Sequence, residues 1–275
     1  MSGKIAEIEE KDIKSILDNV KLTRGVDFND YAQSSLRRRI TRFFEINRIF
    51  NVSEFNAKIR NDDKFAEFFI NEITVNVTEM FRDPSFWVFL RDKVFPDLIK
   101  RPVLKIWHAA CSTGEEVYSM GILLKEAGFQ NNIRIIATDL NQGALDQAKT
   151  GIYKLNNQKL NQKNYEMFGG KSTLSEYYSK NNNEVTYDSN LIKNVKFQKH
   201  NLVSNNSFSV FDLIICRNVL IYFNLGLQDR VLHLFNNSLT PESYLGIGSK
   251  ESIDRTRAEK HFSTISFDEK IYKKI

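Results

Sequence analysis

Ala109-Ala110-Cys111-Ser112-Thr113-Gly114-Glu115-Glu116 is a turn of small residues that ends in two acids. Before it stands Val103-Leu104-Lys105-Ile106-Trp107, short, apolar and β-rich. After it, Val117, Met120, Leu124 and Ala127 recur at helical spacing. A strand, a small-residue turn and a helix in that order let a ligand come close to the backbone at a helix N-terminus. The reading of this stretch decides between an α/β nucleotide fold and everything else.

The kind of ligand follows from what the turn lacks. A dinucleotide site would carry G-x-G-x-x-G, and this turn has a single glycine. Glu115 and Glu116 suit a helix N-terminus but would repel a pyrophosphate. Ile133-Arg134-Ile135-Ile136-Ala137-Thr138-Asp139 reads as a second buried strand ending in an acid, 23 residues beyond Glu116. An acid at the end of the second strand binds ribose hydroxyls in such folds. A ribose site without a phosphate cradle, lined by carboxylates, points to a positively charged nucleoside, S-adenosylmethionine.

Composition narrows the class. The chain has 275 residues and 41% hydrophobic content, enough for a large domain with a smaller companion. No stretch of about 18 apolar residues occurs, so direct membrane insertion is not expected. Met1 to Glu10 is acidic and lacks a signal-peptide core. Cys111 and Cys216 are too few for a disulfide framework or a zinc site, which fits a reducing, cytoplasmic setting. His108, His200, His233 and His261 show no metal-ligand spacing, so no metal is expected. The net charge of +5 fits nucleic acid, membrane surfaces or acidic proteins equally well.

Outward from the turn, residues 1-75 read as helices. Ile5, Ile8, Ile16, Leu17 and Val20 mark the first, and Leu36, Ile40, Phe43 and Phe44 the second. Ser53 is a candidate cap for a third, and Asp62 or Asp63 for a fourth. Residues 76-100 form a linker and a helix that starts at Asp83-Pro84. Residues 101-275 carry the α/β rhythm, broken at 155-199 by a segment rich in Asn, Lys and Tyr. There Glu184–Tyr187 and Val195–Gln198 look like strands of a small antiparallel insert. Phe211–Cys216 reads as a central strand, a helix follows over about Leu225 to Leu239 with Pro241 ending it, and Tyr244–Gly248 is another strand. Ser266-Phe267 and Lys270-Ile271-Tyr272 offer a closing pair.

Four segments in register resemble one family. They are Asn76-x-Thr78-x-x-Phe81-Arg82; Ser112-Thr113-Gly114-Glu115-Glu116-x-Tyr118-Ser119; Ala137-Thr138-Asp139 with Ala148-x-x-Gly151-x-Tyr153; and Cys216-Arg217-Asn218-Val219-x-Ile221-Tyr222-Phe223. Together they are similar to the CheR-type chemotaxis receptor methyltransferases over nearly the whole chain. The resemblance implies an all-α N-terminal domain followed by a class I, Rossmann-like methyltransferase domain with a small antiparallel β insert. It implies methylation of glutamate side chains on cytoplasmic helices of methyl-accepting chemotaxis receptors, with S-adenosylmethionine as donor and S-adenosylhomocysteine as product. It implies cofactor contacts at Asn76, Thr78, Arg82, Glu116, Asp139, Asn201, Leu202, Arg217 and Asn218, with Arg82 and Tyr222 beside the transferring methyl group. One departure stands out. Pro241-Glu242-Ser243-Tyr244 occupies the place where the family often has a glycine pair, which leaves the tightness of that loop open.

The chemistry needs no general base, because a glutamate acceptor with a reference pKa of about 4.3 is already ionised at neutral pH. Donor and acceptor charges cancel on the way to the transition state, so a dry, aligned site suffices. Arg82 can hold one carboxylate oxygen and leave the other free to attack. On the second helix Arg38 and Arg42 lie opposite the apolar face, with Arg37 and Arg39 at its flanks, and form a candidate docking face for an acidic receptor helix. A nucleic-acid methyltransferase is disfavoured by the lack of a base-stacking platform, and a non-catalytic cofactor-binding sensor is the other alternative. A cytoplasmic monomer that does not engage nucleic acid is expected.

Overall fold

The computed structural model describes residues 8–74, 77–129 and 132–275. Ile5 and Asn76, singled out above, lie outside the described residues. The chain forms two compact units: Met1–Asn76 with Ile221–Gln228, and Val77–Leu220 with Asp229–Ile275.

The first unit is helical: α1 Glu10–Arg24, α2 Gln33–Ile46, α3 Val52–Asn61 and α4 Asp63–Ile73. Each helix buries one apolar stripe, as the 3.6-residue period demands. Ile16, Leu17 and Val20 of α1, Ile40 and Phe44 of α2, Phe55 and Ile59 of α3 and Phe69 of α4 are all but inaccessible. The centre is a cluster of phenylalanines, with the Phe43 ring meeting Phe55, Phe65, Phe68 and Phe69 at centroid distances of 5.0–6.2 Å. Asp62 caps α4 through Phe65 N, as expected. The third helix is capped by Asn51, whose Oδ1 accepts from Glu54 N at 2.6 Å, and not by Ser53. Asn51 has the extended backbone an N-cap requires, and Ser53 already sits in the first turn.

The second unit opens with Asp83 at the N-cap of α5 Pro84–Phe89, continues through a π-helical stretch Leu90–Val94 and ends in α6 Phe95–Leu98. There follow β1 Val103–Ala109, α7 Glu115–Glu126, β2 Asn132–Asp139, α8 Gln142–Thr150, β3 Ile152–Lys154 and α9 Gln158–Phe168. Then come β4 Tyr178–Asn181, β5 Glu184–Tyr187, β6 Val195–Lys199, β7 Phe211–Cys216, α10 Leu225–Ser238, β8 Leu239–Ile247, β9 Phe262–Ser266 and β10 Ile271–Lys274.

Seven strands form one sheet in the order β6-β2-β1-β7-β8-β10-β9, parallel except where β10 pairs with β8 and β9. β7 is buried along its whole length, the mark of a strand covered on both faces. The strand order reverses between β1 and β7, the place where open α/β sheets bind ligands at their carboxyl ends. The small antiparallel sheet has the order β3-β5-β4. The Val195–Lys199 strand does not belong to it. It runs parallel to β2 at the edge of the large sheet, where Val195 and Phe197 pack on the small core of Val117, Ala137 and Leu145. Ile152–Lys154 takes the third place in the insert.

Pro241 does not merely end α10. It lies inside β8, at the register shift between Phe211 and Leu213 of the neighbouring strand, where a missing N–H is tolerated. Glu242 adopts φ 59°, the left-handed conformation a glycine would take without strain. The loop thus keeps its tight shape at the cost of placing a side chain there.

Candidate functional site

The signature turn leaves β1 through Ala110 (φ 59°), Ser112 (φ 51°) and Gly114 (φ 93°). Non-glycine residues in this region cost roughly 1–3 kcal/mol each and persist where the surroundings over-determine them. The surroundings are specific. Cys111 N–H donates to Thr138 O, Ser112 N–H donates to Asp139 Oδ2 at 2.8 Å, and Tyr153 OH donates to Thr113 O at 2.7 Å. A Cβ on Gly114 would lie 2.6 Å from Ala148 Cβ and 3.3 Å from Tyr153 Oη. Ala148 and Tyr153 therefore buttress the turn from α8 and β3, while Gly151 leaves room for the Tyr118 hydroxyl of α7, which gives that motif a physical reason.

Asp139 ends β2 with both oxygens facing backbone amides, Ser112 at one and Asn141 at the other at 2.9 Å. Burial pushes its carboxyl above the usual range, and the amides of Asn141, Ser112 and Leu140 offset this only in part. Asn201 and Leu202 follow β6. Asn201 Oδ1 accepts from Val203 N–H, its own N–H donates to Asn205 Oδ1, and both residues are half-buried. His200 N–H, just before them, donates to Asp139 O at 3.0 Å and ties this loop to the end of β2.

The two adjacent acids have different partners, because successive helix positions turn by about 100°. Glu116 Oε1 lies 2.8 Å from His108 Nδ1, and its Oε2 3.6 Å from Arg217 Nη1. Burial pushes this carboxyl up, but the hydrogen bond to His108 and the charges of Arg217 and Arg82 outweigh it, and it stays below its ordinary value. Glu115 instead forms part of a cleft, accepts a hydrogen bond from Thr113 Oγ1 at 2.7 Å, and is pushed up by burial to about 7.

That cleft encloses about 480 Å³ and is lined by Val77, Thr78, Glu79, Arg82, Glu115 and Tyr153 with residues of α9 and the turn before it. The volume is in the range of small-molecule sites. Arg82 sits between Phe81 (φ 49°) and Asp83 (φ 52°), a second strained loop. Its guanidinium reaches Val77 O at 3.3 Å and Glu79 only at 3.9 Å. Its carbonyl accepts from Trp87 Nε1 at 3.1 Å and from Arg217 Nη2 at 3.0 Å. Phe81 N–H donates to Ser119 Oγ at 2.8 Å, and Ser119 Oγ donates to Glu115 O. Ser119, quoted in the motif without a role, thus links the Arg82 loop to α7.

Of the sequence-predicted residues, Thr78 and Arg82 line the cleft, while Glu116, Asp139, Asn201, Leu202, Arg217 and Asn218 lie along the carboxyl ends of the large sheet and outside the cleft lining. Asn218 (φ 62°) donates its N–H to Glu251 Oε2, which also accepts from Gly248 N–H. Glu115, Ser119 and His108 join the site only through the folded chain: His108 meets Glu116 eight residues on, Ser119 meets Phe81 38 residues back, and Glu115 shares the cleft wall with Arg82. Tyr222, Arg38 and Arg42 belong to the helical unit. There Tyr222 O accepts from Ala32 N–H, its ring lies under Arg39 at 4.2 Å, and Arg39 also bonds Ile73 O. Arg38 and Arg42 are exposed. Cys111 and Cys216 are buried free thiols, both pushed well up by burial. Among the described residues no His, Cys, Asp and Glu grouping could hold a metal ion.

The family profile described as "CheR methyltransferase, SAM binding domain" matches residues 76–271, and "CheR methyltransferase, all-alpha domain" matches residues 11–74. This chain belongs to the CheR methyltransferase family. A Pseudomonas putida protein described as a methyltransferase, Cher3, is 38% identical over 263 residues, covering 96% of each chain. A Listeria innocua chemotaxis protein methyltransferase is 32% identical over 252 residues, covering 89% of this chain and 91% of its own. Chemotaxis protein methyltransferase 1 of Vibrio cholerae is 30% identical over 243 residues, covering 83% and 84%. As a CheR-family chain it is an S-adenosylmethionine-dependent methyltransferase with an all-α N-terminal domain, a mostly parallel sheet and a small antiparallel one. Its residues fit that cofactor. Ser112 Oγ and Arg217 Nε are buried at the strand ends without a hydrogen-bond partner, and polar atoms so placed call for a polar ligand. No helix of the described residues is long and apolar enough to cross a membrane.

Proposed function

We propose that the chain methylates glutamate side chains on the cytoplasmic helices of chemotaxis receptors and leaves glutamate methyl esters. The observation that carries this reading is Arg82. Its guanidinium stands in a cleft wall where, among the described residues, it has a hydrogen bond to Val77 O and a loose ion pair with Glu79, while its own carbonyl is held by two donors. A cation fixed in this way can bind one oxygen of an incoming carboxylate and aim the other. S-adenosylmethionine supplies an activated methyl group on a sulfonium. Asp139 would hold the ribose hydroxyls, Asn201 and Leu202 the adenine edge and face, and Asn76, Thr78, Arg217 and Asn218 the amino-acid end. Glu115, as a carboxyl in the cleft wall, would share with Glu116 the task of balancing positive charge. Tyr222 would orient donor or acceptor. No residue lining the cleft is a histidine, and none is needed, because a glutamate acceptor arrives ionised.

In this reading residues 1-75 form a docking domain that presents Arg38 and Arg42 to an acidic receptor helix, and 76-100 connects it to a methyltransferase domain over 101-275 with an insert at 155-199. The protein works as a cytoplasmic monomer. The test is transfer of label from methyl-tritiated S-adenosylmethionine to receptor-containing membranes, followed by mild alkali. Volatile, base-labile label on protein is expected. Alkali-stable label would mean an amine or nucleic-acid acceptor, and no label with intact cofactor binding would mean a sensor.

A further inference from the structure

His108 is fully buried in β1, outside the four motifs, and the chemistry above gives it no part. Its neighbours form a continuous chain. His108 Nδ1 lies 2.8 Å from Glu116 Oε1, and Glu116 Oε2 lies 3.6 Å from Arg217 Nη1. Arg217 Nη2 then donates to Asp83 Oδ2 at 2.6 Å and to Arg82 O at 3.0 Å. The Arg217 guanidinium also lies over the Phe86 ring at 4.3 Å, so it is fixed on its face as well as its edges. The far end of the chain is the loop in which Phe81 and Asp83 both hold positive φ around Arg82. Such a loop needs outside contacts to keep its shape.

We infer that His108 is a positioning residue: its imidazole orients Glu116, Glu116 orients Arg217, and Arg217 holds the Arg82 loop in its strained form. A carboxylate only accepts, so Nδ1 carries the proton in the first link. Without that donor Glu116 can rotate away from Arg217, whose Nη1 then loses its acid while Nη2 keeps Asp83 and Arg82 O, so the guanidinium is held at one edge and can tilt. The inference concerns the loop first and the reaction second, since its effect on turnover rests on the assignment of Arg82 to methyl transfer.

The experiment compares His108→Asn with His108→Gln. An asparagine amide sits where Nδ1 sits and can donate to Glu116; a glutamine amide sits nearer the place of Nε2. Both are read by amide hydrogen exchange of residues 79–83, by kcat, by S-adenosylhomocysteine affinity and by melting temperature. In His108→Gln the loop amides should exchange about tenfold faster or more, as expected for one lost charge-assisted hydrogen bond. Its kcat should fall by up to about 10²-fold, the scale of a misplaced catalytic group. His108→Asn should recover most of both, and S-adenosylhomocysteine affinity should weaken in His108→Gln alone, because Glu116 and Arg217 are also assigned to the cofactor. Wild-type loop protection in His108→Gln would overturn the relay, as would equal loss in both variants in step with melting temperature. Faster loop exchange in His108→Gln with unchanged kcat would leave the relay standing and overturn the catalytic assignment of Arg82.

Discussion

The two units bury different kinds of side chain. Among the described residues the helical unit buries only apolar groups, packed around Phe43, Phe44, Phe55 and Phe69. The sheet unit buries His108, Glu115, Asp139, Arg217 and Glu251 as well. A buried polar group costs free energy unless partnered, so a fold keeps such groups where their chemistry is used. The helical core is thus a stability device, and whatever it recognises must be recognised by its surface. The sheet unit gives up stability at its strand ends to hold charged groups in place.

The largest break in this contrast should come from the apolar side. Phe55→Ala removes a fully buried ring and should destabilise the protein by about 3–5 kcal/mol. The loss should be the same at pH 5 and pH 8 in urea unfolding. The next test concerns the polar side. Glu115 is raised from 4.5 to about 7 in the folded protein, so the folded state holds its proton more tightly than the unfolded one. That contribution is complete below about pH 4.5 and is lost as pH rises through about 7. Glu115→Gln should therefore gain about 3 kcal/mol over wild type on going from pH 4 to pH 8, and a pH-independent difference would show that Glu115 is solvated. Reversing Arg38 and Arg42 to Glu should raise the acceptor KM by about tenfold, with S-adenosylhomocysteine affinity unchanged, if this exposed face steers an acidic partner. Unchanged KM would deny the helical unit its recognition role. The smallest effect is expected at Glu242, whose positive φ a glycine would adopt without strain. Glu242→Gly should stabilise by about 1 kcal/mol at most, less what its ion pair with Lys273 contributes.

The parts legible in the sequence were those written in local patterns. The β1–turn–α7 segment announced itself through small residues between two periodicities, and the acid at Asp139 through its place at a strand end. Asp83-Pro84 marked a helix start because proline fixes its own φ. What stayed hidden depends on partners far along the chain. Val195–Gln198 reads as a short strand, but nothing in it says whether β2 or β5 will pair with it. Adjacent Glu115 and Glu116 look equivalent until the helix turns one toward the cleft and the other toward His108 and Arg217. Ser53 and Asn51 both suit a cap, and the choice depends on where the chain bends. The expected glycine after Pro241 was missing, yet Glu242 keeps the glycine-like backbone, so the shape of that loop outlasts the residue type that usually makes it.

The two cysteines carry a consequence for handling and oxidation. Cys111 lies in the signature turn and Cys216 at the end of β7, both without meaningful exposure and both disfavoured as thiolates. The thiolate is the form that reacts with oxidants and alkylating agents. A redox-active cell would therefore leave this turn chemically silent for as long as the sheet stays folded, and the rate at which the two sulfurs become reactive would time the opening of the sheet itself.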